Sequence, residues 1–214
     1  MRLKLSLLLL FLCPFFNTGY GQETTKKEAT NTQLPQHFFD RTEFKVGYTG
    51  TIFWANGLNL GAEYLLKEKR KTKDRKRGER TNTHQFLLNG NLAFTTNFAN
   101  KTDTGLLTNV GLIWRRTNKK GKQFSIAVNP LGYYRSFLPK TYEVNGDAVG
   151  KVFLPGRGYY APSLSVGIGK QRKGKRLTGR YLNVNFMLRT PYNAGALPSF
   201  SLQYGFRFHL KKKK

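Results

Sequence analysis

His37, His84, His209 and Cys13 are the residues of this chain with the strongest general-base, nucleophilic or soft-ligand chemistry. Catalysis needs such a group held beside a second polar partner, and a transition-metal site needs several of them at short spacing. Here they are scattered. His37 lies in a polar stretch, His84 opens one strand-like segment, His209 closes another, and Cys13 sits in an apolar run near the N-terminus. No catalytic residue, metal site or cofactor is expected. Lys45, Glu63 and Arg207 suggest a different chemistry. Each falls on the small or polar side of a segment whose residues alternate in polarity. If the first, second and last of these segments are neighbours in a closed sheet, the three side chains meet at similar depth. A carboxylate between two cations is stabilised where a lone charge is costly. The three are read as a lumen charge cluster, either a polar filling or a gate. Eight strands leave an interior just wide enough for side chains, which favours the filling.

The elements that would position them are strands. Apolar residues recur at every second place in Phe44, Val46 and Tyr48, in Leu58, Leu60, Ala62, Tyr64 and Leu66, and in Phe86, Leu88, Leu92 and Phe94. The pattern continues through Leu106 to Trp114 and through Phe124 to Val128. Pro130 and Gly132 predict a register shift, after which Tyr133, Arg135 and Phe137 carry on at odd positions. Three more segments follow, over Tyr160 to Ile168, Leu182 to Leu188 and Phe200 to Leu210. The intervening residues are mostly Gly, Asn and Ser, poor in Lys and Glu. A soluble barrel would place its charges outside and its large aliphatics within. The segments are also as long as a tilted membrane-crossing strand, about 9 to 11 residues. Their number is even, as a single-chain bacterial barrel requires. The fold expected is therefore all-β: an eight-stranded antiparallel up-and-down transmembrane β-barrel over residues 43–210.

The N-terminus predicts export. Arg2 and Lys4 precede an apolar run from Leu5 to Phe16, and Gly19 and Gly21 suit a cleavage site, so residues 1–21 read as a cleaved signal peptide. The run is too short to cross a bilayer as a helix, which takes about 20 residues. Cleavage removes Cys13 and with it all thiolate chemistry. Residues 22–42 read as a flexible periplasmic leader and residues 211–214 as a basic tail. The formal net charge of +26 suits an anionic membrane surface or an acidic partner. Export argues against nucleic acid.

The charges are also sorted. In an up-and-down barrel, alternate connections share one end. The second, fourth and sixth connections and the C-terminal tail hold 24 of the 35 Lys and Arg residues that follow the signal. Even strand number puts both termini in the periplasm, so this basic end is expected to face it. Its expected face comprises Lys69, Arg70, Lys71, Arg75, Lys76, Arg77, Lys119, Lys120, Arg172, Lys173, Lys175 and Arg176, drawn from runs that begin at Lys67, Arg115 and Lys170. It suits anionic headgroups or an acidic envelope protein. The opposite end is rich in aromatics, among them Tyr133, Tyr134, Tyr159, Tyr160 and Tyr192, with Phe53 and Trp54. These read mainly as an interfacial girdle.

The last segment carries a resemblance. Gln203, Gly205, Phe208 and Leu210 are similar to the β-signal of bacterial outer-membrane barrels, a polar residue, a glycine two places on, then two alternate hydrophobics. The chain as a whole resembles the small eight-stranded outer-membrane β-barrel proteins of Gram-negative cells. The resemblance implies recognition of the last strand by the barrel assembly machinery and a place among outer-membrane lipid. That group includes structural barrels, adhesins and lipid A-modifying enzymes, and the last need a site at the outer leaflet, where this chain has no histidine. A non-enzymatic structural or interaction component of the cell envelope is expected. A narrow, porin-like channel for small solutes and a soluble periplasmic ligand carrier are the alternatives.

Overall fold

A computed structural model describes residues 30–31, 38–51, 55–73, 80–97, 104–138, 141–145, 148–153, 155–171, 177–192 and 195–210. Eight strand positions dominate it. They are β1 (Thr42–Thr51), β2 (Asn56–Lys73), β3 (Arg80–Thr96), β4 (Thr104–Asn118), β5 (Lys122–Phe137), β6 (in two pieces, Gly156–Tyr160 and Ser163–Gln171), β7 (Leu177–Tyr192) and β8 (Gly195–Phe208). Each pairs antiparallel with the next in chain order. β8 then pairs back onto β1 over Ser201–Phe208, which closes the sheet in a ring. Between the two pieces of β6 and the end of β5 the chain makes a separate hairpin, Tyr142–Asn145 against Ala148–Lys151. The sixth strand thus begins earlier than its apolar pattern suggests.

The alternation becomes two faces, because successive strand side chains point to opposite sides. Leu58, Leu60, Phe86, Leu88, Leu112, Val128, Ile168, Val184 and Leu202 point outward and are exposed. Asn59, Asn89, Asn91, Asn109, Ser163, Ser165, Asn185 and Gln203 point inward and are buried. This polarity is the reverse of that of a water-soluble protein. Two apolar clusters are set into the polar interior. Leu87, Ile113 and Ala127 form one, and Ala93, Leu107, Tyr134, Ala161 and Met187 form the other, toward the end opposite the start of β1.

Two irregularities break the period. Asn129 and Pro130 together oppose Gly111, since Val110 pairs Leu131 while Leu112 pairs Val128. The expected shift at Pro130 is this bulge, which suits a residue with no N–H to give the ladder. A second, between Leu65 and Lys67, puts Leu66 outside the pairing and turns Lys67, Lys69 and Lys71 outward. Ahead of β1, Phe38–Arg41 form a 3-10 turn. Phe38 stacks on Tyr64 with 5.2 Å between centroids, and Arg41 donates twice to the Leu65 carbonyl, at 3.1 and 2.8 Å. Part of the expected flexible leader is therefore pinned to the ring by these contacts, and β1 starts one residue earlier than expected.

Close approaches across the interior require glycine at two opposed positions. Gly47 pairs Gly205, and a Cβ on either would come within 3 Å of the Tyr181 hydroxyl. The Tyr181 side chain lies over this gap and is almost fully buried.

Candidate functional site

The interior charges gather where β1, β2 and β8 adjoin. β1 carries Glu43 and Lys45, β2 carries Glu63, and β8 carries Arg207. In register, Lys45 opposes Arg207 and Glu43 opposes Glu63. Like charges directly opposite are destabilising, so each pair depends on partners from elsewhere. Glu63 supplies them on one side. Its Oε1 is 3.1 Å from Lys45 Nζ, and its Oε2 is 3.2 Å from Arg207 Nε. Arg115 supplies them on the other. Reaching in from β4, its Nη2 donates to Glu63 and its Nη1 to Glu43 Oε2 at 2.7 Å. His209, just past β8, places Nδ1 2.8 Å from the Thr42 carbonyl and Nε2 3.6 Å from Glu43.

Polar bonds spread from this cluster around the ring. Lys45 donates to Asn89 (2.8 Å), Asn89 to Asn129 (2.9 Å) and Asn129 to Ser163 (3.1 Å). Arg207 donates to Gln123 at 2.9 Å, and its guanidinium lies 4.9 Å from the centroid of the Tyr181 ring. Ser165, Asn185 and Ser201 continue the pattern over β6, β7 and β8. All eight strands thus contribute an inward side chain to the cluster or its extensions, β7 through the Tyr181 ring, and β6, β7 and β8 are tied a second time by Ser165, Asn185 and Ser201. The cavity among Lys45, Glu63, Asn89, Asn129, Asn185 and Arg207 is about 20 Å³, room for about one water. Chemically this is a brace. Both carboxylates are engaged by cations, and no Ser, Thr or Tyr hydroxyl in it is paired with a general base.

Lys45, Glu63 and Arg207 come together, and two further members that the sequence reading omits, Glu43 and Arg115, join them. Arg115, the first residue of an expected basic connection, instead lies in the interior with its side chain 1% exposed. Trp114 faces outward, so alternation carried one residue further makes Arg115 inward. The same parity makes Glu43 inward. The expected aromatic girdle likewise loses Tyr134 to the interior. Tyr134 is buried against Leu107 and Met187, and Tyr159 packs on it at 6.2 Å. The bulge at Pro130 sets this parity, leaving Tyr133 outside and Tyr134 inside. Phe53 and Trp54 lie outside the described residues.

The basic residues distribute as follows. Lys69, Arg70 and Lys71 lie on the extension of β2 that continues with β3 past the start of β1. Arg70 sits 3.2 Å from Glu68, and Lys119 and Lys120 occupy the turn from β4 to β5. That turn needs Gly121, whose φ is +77°. Arg75, Lys76, Arg77, Arg172, Lys173, Lys175 and Arg176 lie outside the described residues. Of the β-signal-like residues, Gln203 and Gly205 face inward, Phe208 stacks on Phe44 at 6.0 Å, and Leu210 is exposed beyond β8. Compared with known proteins, the chain matches no family model, no curated protein and no solved structure.

Proposed function

We propose that this chain is a transmembrane β-barrel of a bacterial outer membrane, working as a structural and interaction component of the cell envelope, with its basic end toward the periplasm. One observation carries the reading: large apolar side chains line the outside of all eight strands while amides, hydroxyls and charges make up most of the inside, around two small apolar clusters. Monomeric proteins in water rarely expose a continuous apolar wall of this kind. In a bilayer it is the expected outer wall, and a closed sheet leaves no unpaired edge in lipid. The start of β1, the end of β8 and the basic extension of β2 and β3 share one end of the ring, which supports the orientation. A soluble carrier would need the opposite polarity. The filled interior favours a wall component over a conduit. The resemblance of the last strand to a β-signal fits delivery by the barrel assembly machinery.

Fractionation of cells making the full chain tests this. Recovery in the outer-membrane fraction after a sodium carbonate wash is expected. Release into the soluble periplasmic extract would overturn the reading.

A further inference from the structure

The outward face near the basic end carries a row of cations that the interior brace does not use. Lys122 on β5 opposes Lys170 on β6, and Lys170 opposes Arg180 on β7. Directly opposed residues have Cβ atoms about 4.5 to 5.5 Å apart, and like charges so placed repel. All three side chains are exposed. Among the described residues none of them is ion-paired. The described carboxylates lie elsewhere: Glu43, Glu63 and Glu68 on the inward face, Asp40 in the turn before β1, and Glu143 in the far hairpin. Three abreast cations without an acid are a repulsive arrangement that an anion would relieve.

The next outward row fixes the kind of anion. Phe124 opposes Ile168, and Ile168 opposes Leu182. Beyond it come Ile126, Val166 and Val184, so on β5, β6 and β7 the wall changes from apolar to cationic within two residues, about 7 Å along a strand. Arg180 is steadied by its place over the Phe206 ring, 5.5 Å from the centroid. Its planar fork matches phosphate oxygens, which the ammonium groups of Lys170 and, one strand further, Lys122 also neutralise. We propose that Lys122, Lys170 and Arg180 bind the phosphate headgroup of an anionic phospholipid whose acyl chains lie along Phe124, Ile168 and Leu182. The site rests on the membrane reading above. All three cations are exposed, and a lipid adds acyl-chain contact along the apolar row to the headgroup contact, which a free phosphate ion does not.

The chain has two tryptophans, and Trp114 stands 6.4 Å from Phe124, one strand from the triad. A Trp54→Phe background makes it the sole reporter. The full chain is reconstituted in vesicles containing either phosphatidylglycerol or phosphatidylcholine brominated on its acyl chains, at equal mole fraction. Enrichment of the anionic lipid around Trp114 by about fivefold is expected. It should fall to parity in Lys122→Gln/Lys170→Gln/Arg180→Gln, with Lys170→Gln alone intermediate, and persist in Lys67→Gln/Lys69→Gln/Lys71→Gln. Equal quenching by both lipids in the unaltered triad overturns the site. Equal loss in the second triple variant makes the effect one of general rim charge and also overturns it. Abolition by millimolar inorganic phosphate at constant ionic strength would assign the triad to free phosphate instead. Absence of quenching by either lipid would overturn the membrane reading itself.

Discussion

Lys45 and Arg207 are directly opposed across the β1–β8 seam, two cations in one cross-strand pair, and the carboxylate of Glu63 touches both. The closure of the ring therefore depends on a residue of β2 that takes no part in the seam's backbone pairing.

Glu63→Gln should destabilise the protein strongly, because it leaves Lys45, Arg207 and Arg115 buried with one fewer counter-charge. Breaking a buried pair costs about 3 to 5 kcal/mol. Glu68→Gln, whose partner Arg70 is 59% exposed, should cost under about 1 kcal/mol. Urea unfolding in lipid vesicles compares the two. Equal costs would show that the interior charges are well solvated and that no brace exists.

Arg115 is coupled to Glu63 across the interior. Arg115→Met and Glu63→Gln together should cost less than the sum of the single changes, by about 0.5 to 3 kcal/mol. The same unfolding measurement on the four members of the cycle reads this. Additivity would mean that the contact contributes nothing.

Gly105 lies under the Tyr134 ring, and a Cβ there would clash with the hydroxyl oxygen and ring carbons of Tyr134, with no backbone atom among its nearest neighbours. Gly105→Ala should cost about 1 to 3 kcal/mol through overpacking. In a Tyr134→Leu background the same change should be close to neutral. Melting of both pairs checks it, and an undiminished cost in the second background would sink this account of Tyr134.

The filled interior bears on transport. The cavity beside the charged cluster is only about 20 Å³, and the protein should show no steady conductance steps in planar bilayers. Persistent openings that Glu63→Ala enlarges would restore the channel alternative and make the brace a gate.

What the sequence by itself determined is the local pattern. Period-two alternation is a property of neighbouring residues, so Leu58, Leu60, Asn59 and Glu63 could be assigned to their faces without a partner strand. The number of segments followed, as did the meeting of Lys45, Glu63 and Arg207 once the first and last strands were joined. The tertiary structure decided what depends on register between strands distant in sequence. Arg115 meets Glu43 and Glu63 only because three intervening strand pairings bring its side chain to their level. Tyr134 turns inward because the Asn129–Pro130 bulge reverses parity. Lys122, Lys170 and Arg180, read from sequence as parts of two separate basic runs, stand abreast because three strands pair in that register. Hydrogen-bonded register is a long-range choice among whole strands, and no window of sequence contains it.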